Sequence, residues 1–477
     1  MRFANPLSRL RQYLRRSPRR QRPAKFQARP RVEQLEDRMV PSTLNVDALG
    51  NAHYLGSSGF ANNVTVSERP FILQPPPGAV TPTLFFFERV ITDTAEKISV
   101  TGPGASRWGG SGTHQVVTLQ PVKSLLVDLF NGNETVNVQK IDYPTEVRHL
   151  GPGLATVNAG NAGRLQGVQG PLTTDAVGLG SSVHLNVDDS LDPSQKETRG
   201  PNVLKVLGVA SPIIFLAGTS SVDVSGGDGD TYFDGTLSAT TPVTVHGTGA
   251  GNTLVSGPGI NDWAITGVNA GFLRNVSFTN VQNLRGGPSS IRDTFHFNNG
   301  AGVTGSIVGA GVPGSIATLD YSKYTTPVFV DLKINLALAG GISTFVANIQ
   351  EVLGGSGNNI LVGNGNNLLR AGSGRDILIS GGGNSTLLAG AGEDILIGAH
   401  FIFDTNIAAL NALMAQWSAP LPYAVRVNNL IPFLSGKVVP QPGVTTLVSG
   451  GGLDFLIIDA GDVLAHPPRP GEVVLFV

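Results

Sequence analysis

A glycine-rich stretch between Gly355 and Leu396 decides how this chain folds, because the pattern Gly-x-Gly-x-[Asp/Asn/Ser]-x-Leu occurs in it five times. The copies are Gly355-Ser-Gly-Asn-Asn-Ile-Leu361, Gly363-Asn-Gly-Asn-Asn-Leu-Leu369, Gly372-Ser-Gly-Arg-Asp-Ile-Leu378, Gly381-Gly-Gly-Asn-Ser-Thr-Leu387 and Gly390-Ala-Gly-Glu-Asp-Ile-Leu396. Successive copies start 8, 9, 9 and 9 residues apart. A fixed period with glycines in phase predicts a solenoid, in which each repeat supplies one short strand and one tight loop.

The composition extends this all-β prediction to the rest of the chain. Glycine accounts for 62 of 477 residues, and charged residues for only 14 %, whereas hydrophobic residues remain at 40 %. Upstream of the repeats, short alternating runs such as Val183-His-Leu-Asn-Val187 and Val243-Thr-Val-His246 stand between turn residues. Runs of this length and period predict strands. We therefore expect a parallel β-helix or β-solenoid, with an array of β-sandwiches as the alternative.

The charge of the chain is unevenly distributed. Residues 1–40 contain twelve Lys and Arg against three acidic residues, so the remaining chain is strongly acidic although the net charge is only −1. No motif of a folded nucleic-acid-binding module is present in this basic segment, which argues against such a partner. The chain has no cysteine, which excludes disulfides and thiolate metal sites. No apolar run is long enough for a membrane span.

The repeats resemble the RTX (hemolysin-type) nonapeptide, Gly-Gly-x-Gly-x-Asp-x-U-x, in which U is a large aliphatic residue. The resemblance implies a parallel β-roll that binds Ca²⁺. The chemistry of the residues agrees, because glycines let two loops approach closely and carboxylates supply the negative charge that a hard cation needs among its oxygen ligands. The leucine two positions after the acidic residue is expected to point into the core.

Two strands complete one turn of such a roll, so loops on the same edge recur about every 18 residues. Asp376 and Asp394 should therefore stack, with Asn359 continuing their edge, whereas Asn367 and Ser385 fall on the opposite, uncharged edge. A sixth copy, Gly450-Gly-Gly-Leu-Asp-Phe-Leu456, follows later. The best site is predicted between loops 372–376 and 390–394, and a weaker one between Asn359 and Asp376. The predicted metal ligands are Gly372, Gly374, Asp376, Gly390, Gly392, Asp394, Asn359 and Asp454.

The predicted cofactor is one or two weakly bound Ca²⁺ ions, with dissociation constants of about 10⁻⁴–10⁻³ M, as in extracellular modules. Three of the five acidic positions carry Asn or Ser. A calcium-independent solenoid with stacked polar loops is therefore an open alternative.

We divide the chain into six parts. Residues 1–43 form a basic, disordered sorting segment, and residues 44–215 a β-rich solenoid region. Residues 216–350 form a second solenoid region with degenerate Gly-rich repeats, such as Gly226-Gly-Asp-Gly-Asp-Thr-Tyr-Phe233. The β-roll spans 351–398, a helical insertion or cap 399–446, and the final repeat and strand 447–477. In the insertion, Ile407, Leu410, Leu413 and Trp417 recur at helical spacing. We expect one helix there, capped at its start by Asp404 or Thr405, that packs on the end of the roll.

The segment Val32-Glu-Gln-Leu-Glu-Asp-Arg-Met-Val-Pro-Ser42 resembles the Leu-Glu-x-Arg sorting segment of very large exported bacterial surface proteins. Together with the repeats, the resemblance implies a secreted or cell-surface protein with a structural or adhesive role. Surface glycans or other cell-envelope components are candidate partners besides calcium.

No catalytic motif stands out, and we expect that the chain is not an enzyme. The densest acidic cluster, Asp188, Asp189 and Asp192, is interpreted as a solvated turn, and the eight histidines show no zinc-site spacing. A β-helical carbohydrate-binding or carbohydrate-active protein is the third alternative, because paired carboxylates can act in glycoside chemistry.

Overall fold

The computed structural model describes residues 41–57, 61–73, 84–191, 212–216, 218–226 and 241–477, and the backbone of three short strands at 196–197, 203–204 and 231–234. The predicted sorting segment 1–43, apart from its last three residues, lies outside the described residues. So do Asp192 and residues 227–230 of the degenerate repeat.

Strands dominate the described chain, and the predicted all-β class is confirmed. The first half contains β1 (Thr43–Val46), β2 (Asn51–Leu55), β3 (Asn63–Leu73), β4 (Leu84–Asp93), β5 (Ser99–Thr101), β6 (Gln115–Thr118), β7 (Ser124–Leu129), β8 (Gly132–Val138), β9 (Thr145–His149), β10 (Gly153–Ala159), β11 (Leu172–Ala176), β12 (Ser181–Asp188), β13 (Lys196–Glu197), β14 (Val203–Leu204), β15 (Ile213–Phe215), β16 (Thr219–Ser225), β17 (Thr231–Asp234), β18 (Val243–His246) and β19 (Thr253–Val255).

The second half continues the strands and adds two helices. It contains β20 (Gly259–Gly267), β21 (Ala270–Leu273), β22 (Val276–Thr279), β23 (Asn283–Arg285), β24 (Ser290–Phe297), β25 (Ser306–Val308), β26 (Ile316–Asp320), β27 (Val328–Asp331), β28 (Leu336–Ala339), β29 (Ile342–Ala347), β30 (Glu351–Leu353), β31 (Ile360–Val362), β32 (Leu368–Arg370), β33 (Ile377–Ile379), β34 (Thr386–Leu388), β35 (Ile395–Ile397), β36 (His400–Phe401), α1 (Ile407–Trp417), α2 (Tyr423–Leu434), β37 (Val438–Val439), β38 (Thr446–Val448), β39 (Phe455–Ile458), β40 (Val463–Leu464) and β41 (Val473–Phe476).

Most neighbouring strands pair in parallel, and they form three long sheets. The first sheet has the order β14-β15-β11-β9-β7-β2-β1-β5. The second runs β6-β4-β3-β8-β10-β12-β16-β18-β22-β21-β20-β24-β26-β30-β32-β34-β38-β40. The third runs β13-β17-β19-β23-β25-β29-β28-β27-β31-β33-β35-β39-β41. Two three-stranded antiparallel meanders, β20-β21-β22 and β27-β28-β29, interrupt the parallel pairing, and the sequence pattern had not predicted them.

Successive strands between β30 and β35 alternate between the second and third sheets, so two strands complete one coil as predicted. In the third sheet, Ile360 pairs with Ile377 and Ile377 with Ile395; in the second, Leu368 pairs with Thr386. The central leucines of both sheets face each other in one buried core: Leu361, Leu378, Leu396, Leu369 and Leu387. Their inward position follows from strand alternation and confirms the sequence prediction.

The two sheets differ on their outer faces. The outer isoleucines of β33 and β35 are fully buried, whereas the outer Thr386 and Leu388 of β34 are only half-buried. Helices α1 and α2 cause this difference, because Leu410, Leu413 and Trp417 of α1 pack in one cluster with the isoleucines. A strand that is apolar on both faces needs a cover on both faces.

The prediction for the insertion was right in type and wrong in position. The insertion contains two helices rather than one, and Asn406, not Asp404 or Thr405, caps α1 by accepting the N–H of Ala409 at 3.1 Å. The helices cover the face of the third sheet instead of its end, because β38 and β39 pair directly with β34 and β35 and continue both sheets beyond the insertion.

Candidate metal centre

The three repeat aspartates stack in one column at one edge of the coils. Asp376, Asp394 and Asp454 each stand immediately before a strand of the third sheet, and those strands pair in register at Ile377, Ile395 and Phe455. We call these three residues the aspartate column. Asn359 continues it on one side, immediately before β31, and all four side chains are fully buried. The structure therefore places together Asn359, Asp376 and Asp394, which the 18-residue spacing predicted to stack, and adds Asp454 to them.

Each carboxylate in the aspartate column ties two loops together. The Oδ1 atom of Asp394 accepts the backbone N–H of Asp376 at 2.8 Å, and its Oδ2 atom accepts that of Gly390 in its own loop at 3.1 Å. In the same way, the Oδ1 atom of Asp376 accepts the backbone N–H of Asn359 at 2.6 Å, and its Oδ2 atom accepts that of Gly372 at 3.0 Å. Asp454 repeats this arrangement with Asp394 and Gly450, at 3.0 and 2.8 Å. The column therefore satisfies loop N–H groups that would otherwise be buried without acceptors.

Burial raises the pKa values of the stacked carboxylates. Burial is the main cause for Asp394, and the neighbouring charge of Asp376 adds to it, so that the pKa rises to about 8. Burial likewise raises the pKa of Asp376 to about 6, against the opposing effect of its backbone hydrogen bonds. The pKa of Asp454 is also raised by burial. Negative charge in the column is thus poorly compensated by the protein itself, which is the electrostatic condition that favours a cation or a proton.

The glycines of the column are required by close backbone approach. A Cβ atom on Gly372 would lie 1.5 Å from the carbonyl oxygen of Gly355, and one on Gly390 would lie 1.7 Å from that of Gly372. In the same way, a Cβ atom on Gly374 would lie 2.2 Å from the carbonyl oxygen of Gly357, and one on Gly392 would lie 1.9 Å from that of Gly374. Rows of carbonyl oxygens therefore run along the edge beside the carboxylates. Gly372, Gly374 and Gly390 do not adopt a positive φ, so close backbone approach rather than left-handed backbone requires glycine at these three positions.

The helical insertion contacts the same loops. The indole N–H of Trp417 donates to the carbonyl oxygen of Glu393 at 2.7 Å, and the hydroxyl of Tyr423 donates to that of Asp454 at 2.7 Å. Arg426 is buried, lies over the ring of Trp417 at 4.3 Å, and pairs with the carboxylate of Glu393. The helical spacing of Trp417 indicated only a packing role, and it did not predict these contacts.

The column extends one position further than the repeats indicate. Glu472 immediately precedes β41, whose Val473 pairs with Phe455, and its charge contributes to raising the pKa of Asp454. Its Oε2 atom accepts the N–H of Arg469 at 2.7 Å, whereas its Oε1 atom is buried and has no hydrogen-bond partner among the described residues. No glycine frame precedes Glu472, so only the 18-residue spacing from Asp454 could have identified it.

The opposite edge uses uncharged side chains for the same backbone task. Ser385 accepts the N–H of Asn367 on its hydroxyl oxygen at 3.2 Å, and Asn367 donates its side-chain amide to the carbonyl oxygen of Ile349 at 3.1 Å. We call Asn367 and Ser385, with Thr445 and Asp462 beyond them, the opposite column. Asp462 accepts the N–H of Thr445 at 2.9 Å, so a carboxylate returns there that the sequence analysis had missed.

The donor set fits a hard cation only if the backbone contributes. No three His, Cys, Asp or Glu side chains converge on one point in the part of the chain that the structure describes. Pairs of stacked carboxylates, with glycine carbonyl rows beside them, form an all-oxygen set of the kind that Ca²⁺ prefers. An ionised carboxylate has about four lone-pair positions, and each aspartate has used two for backbone N–H groups. Capacity for a cation therefore remains.

Of the acidic cluster predicted to be a solvated turn, Asp188 is exposed as predicted, whereas Asp189 is buried, so the prediction is wrong for Asp189. Asp188 accepts the N–H of Ser190, two residues later, at 3.2 Å, and Asp189 accepts the N–H of Leu165 at 3.1 Å. Both contacts are local or structural backbone bonds.

Comparison with known families agrees with this geometry. The family model "RTX calcium-binding nonapeptide repeat (4 copies)" matches residues 353–387 and 370–399, the segment that contains the aspartate column up to Asp394. Repeats of this family generally bind Ca²⁺ and form β-rolls, and the proteins that carry them are typically exported. The chain has no significant match among the curated proteins. None of the helices among the described residues is long and apolar enough to cross a membrane.

Proposed function

We propose that residues 351–477 form a calcium-binding β-roll at the end of a continuous β-solenoid, in an exported surface protein with a structural or adhesive role. The observation that carries the proposal is the aspartate column, because three buried carboxylates stack within a segment that matches a calcium-binding repeat.

The column supports two places for a cation. Asp376 and Asp394 bring one pair of carboxylates together across loops 372–376 and 390–394, beside the carbonyl groups of Gly372 and Gly374. Asp394 and Asp454 form a second such pair. This second pair has two carboxylates, whereas the sequence-predicted alternative of Asn359 with Asp376 has one. Since charge count raises calcium affinity, we now rank the Asp394–Asp454 pair above it.

The bound ion would supply positive charge where the protein supplies none. Burial raises the pKa values of Asp376 and Asp394, and the charge of Asp376 adds to the shift of Asp394, so the ionised forms are poorly stabilised in this column. A divalent cation between them would hold both carboxylates ionised at neutral pH. The chain's own part is to hold loops, carboxylates and carbonyls in register, which the backbone ladder does.

A calcium-independent solenoid is the second candidate, and a specific observation favours it. Every carboxylate oxygen of the column already accepts one backbone N–H, and Trp417 and Tyr423 already bind two of the loop carbonyls. These contacts could hold the edge together without an ion.

Thermal unfolding of the full chain separates the two candidates. We expect the midpoint to rise with Ca²⁺ in the millimolar range, because binding adds RT ln(1 + [Ca²⁺]/Kd) to the free energy of unfolding, and not to rise with equimolar Mg²⁺. Asp394→Asn should remove the rise, because Asp394 belongs to both carboxylate pairs, while Ser385→Ala on the opposite edge should keep it. An unchanged midpoint in the parent protein would favour the calcium-independent solenoid.

Export and the absence of catalysis are separate parts of the proposal. RTX repeat proteins are typically exported, which supports a secreted or surface location. Fractionation of producing cells with an antibody against this chain tests it, and recovery only from the cytoplasm would contradict it. Turnover of acidic polysaccharides would contradict a non-enzymatic role, and binding on a glycan array would identify the glycan partner that an adhesive role needs.

A further inference from the structure

Lys333 and Asp404 form a short ion pair between the third sheet and the insertion. The Nζ atom of Lys333 lies 2.6 Å from the Oδ2 atom of Asp404, which is 71 residues later in the chain. Lys333 belongs to the turn between β27 and β28, and Asp404 lies between β36 and α1. Their side chains are 23 % and 4 % exposed, and the Nδ1 atom of His400 approaches the same oxygen at 3.3 Å. The other lysine ion pair among the described residues, Lys140 with Glu68, is longer, at 3.8 Å.

A second carboxyl group is buried beside this pair. Asp331 is fully buried, and its Oδ1 atom accepts the backbone N–H groups of Lys333 and Ile334 at 2.9 and 3.4 Å. Its Oδ2 atom is also buried and has no hydrogen-bond partner among the described residues. Burial is the main cause that raises the pKa of Asp331 to about 6, and the charges of Asp404 and Lys333 act on it in opposite directions. Asp331 therefore has a free oxygen that can accept and donate a proton near neutral pH.

Apolar residues lie beside the two carboxyl groups. Asp331 pairs with Val362 in the third sheet, and Val362 packs in the same buried cluster as Phe401. Phe403, which directly precedes Asp404, packs against that cluster with its ring edge-on to Phe401. In such surroundings charged groups are poorly solvated, so the neutral amine and the neutral carboxylic acid are more populated than in water. A neutral lysine amine is a nucleophile.

We propose that Lys333 and Asp404 join in an intramolecular isopeptide bond, which ties the β27–β28 turn to the segment that leads into α1. The Nζ atom attacks the Cγ atom of Asp404, an Nζ–Cγ bond forms, a Cγ–Oδ bond breaks, and one water molecule leaves. Asp331 accepts a proton from the attacking nitrogen and returns it to the leaving hydroxyl group, so it ends in its starting state. No electrons are transferred, and no cofactor takes part.

The fold supplies the proximity that this reaction needs. Amide formation between a free amine and a free carboxylic acid is unfavourable in water, where both groups are charged. Groups held with their reacting atoms about 3–3.5 Å apart reach effective molarities of about 10⁵–10⁸ M. The carboxyl carbon of Asp404 is only one bond beyond the oxygen that Lys333 contacts. The bond therefore forms in the folded protein and not in the unfolded chain.

The cross-link acts as a disulfide would in a chain that has no cysteine. It closes a loop of 71 residue positions around the β-roll, and cross-links that close long loops stabilise the fold by restricting the unfolded chain. It also fastens the insertion to the third sheet whether or not calcium is bound. The inference thus goes beyond the calcium proposal and does not depend on it.

Intact mass spectrometry of the purified, denatured full chain tests the proposal. We expect most molecules to be lighter than the sequence by one water molecule, and a protease digest to contain one branched peptide that joins Lys333 to Asp404. Lys333→Arg keeps the positive charge but cannot form the bond, so it should have the full mass of its sequence. Lys140→Arg is the matched control at the longer ion pair, and it should lose one water molecule as the parent does.

Asp331→Asn tests the proton carrier, because it keeps the size of the side chain and an oxygen for the backbone N–H groups. It should match the parent in circular dichroism and form the cross-link at least tenfold more slowly. A folded parent with the full mass of its sequence would overturn the proposal. So would a loss of water that persists in Lys333→Arg, since it would come from a succinimide and not from an isopeptide. An unchanged rate in Asp331→Asn would refute the role given to Asp331.

Discussion

The two edges of the β-roll show how the same coils can be held with and without charge. On one edge, Asp394 accepts the N–H of Asp376 in the previous coil at 2.8 Å; on the other, Ser385 accepts that of Asn367 at 3.2 Å. Both bonds do the same work for the backbone, since each satisfies a buried loop N–H with a side-chain oxygen from the next coil. The fold therefore needs an acceptor at this position and does not need a carboxylate.

The negative charge of the aspartate column is therefore not explained by the backbone hydrogen bonds alone. Three carboxylates stack there in spite of raised pKa values, and the helices bind that edge through Trp417, Tyr423 and Arg426. On the opposite edge, Asn367 and Ser385 supply acceptors for backbone N–H groups without a buried charge. The difference favours a ligand on the aspartate column, and four experiments test it.

The largest effect is expected from the residue that joins the helices to the aspartate edge. Trp417→Ala should reduce the free energy of unfolding by about 3–5 kcal/mol, because it empties a fully buried site and removes the donor to Glu393. Trp417→Phe keeps most of the ring and loses the hydrogen bond, so it should cost clearly less. Chemical denaturation measures both, and equal costs would show that packing contributes little here.

A matched pair of variants compares the two columns directly. In millimolar calcium, Asp394→Ala should cost about 2–3 kcal/mol, since the N–H groups of Asp376 and Gly390 lose a charged acceptor. Ser385→Ala should cost about 1 kcal/mol, because one neutral bond is lost. Equal costs in calcium, with no difference on adding EDTA, would mean that the carboxylate acts only as a backbone acceptor.

The pH dependence of stability should come from the aspartate column. The pKa of Asp394 rises to about 8 and that of Asp376 to about 6 in the folded protein, against about 3.9 in the unfolded chain. The folded state therefore binds more protons between these values, and its stability in EDTA should fall as pH rises from about 4 to about 8. Calcium should offset the loss at the alkaline end. Thermal midpoints across this range measure the slope, which Asp394→Asn should flatten above pH 6; a stability that increases towards pH 8 in EDTA would contradict the assignment.

The smallest expected effect is a gain on the opposite edge. Asn367→Asp together with Ser385→Asp would stack two carboxylates 18 residues apart, as in the aspartate column. We expect lower stability in EDTA and an additional calcium-dependent rise of about 1.4 kcal/mol at ten times the dissociation constant. Asn367→Asp alone, with one carboxylate, serves as the control. If the double variant gains no calcium response, the backbone frame and two carboxylates are not sufficient for binding.

The repeat period was enough to predict the coils and the stacking of the acidic positions. Its glycines determine where two backbones approach, and its leucines determine which side faces the core. Together they place Asp376 and Asp394 in one stack at the same edge of the coils. These are local rules that repeat along the chain, and a single sequence displays them directly.

The parts that could not be predicted depend on contacts between distant segments. Trp417 meets Glu393, which is 24 residues earlier, and Tyr423 meets Asp454, which is 31 residues later. Nothing in the helical spacing of the insertion indicates which surface it covers. One signal was available: the strands Ile377-Leu-Ile379 and Ile395-Leu-Ile397 are apolar on both faces, whereas Thr386-Leu-Leu388 is not. That contrast predicts that the helices cover the outer face of the third sheet rather than that of the second.

The insertion leaves and rejoins the roll at almost the same point, since β36 pairs antiparallel with β37, His400 opposite Val439. The coils on either side stay in register, with Leu387 opposite Leu447, as if the intervening residues were absent. The β36–β37 pair is therefore a suitable site for domain insertion. A foreign domain whose termini lie close together could replace α1 and α2 without shifting the strands beyond it. The exchange carries one condition, because the new module must present an apolar surface to Ile377, Ile379, Ile395 and Ile397.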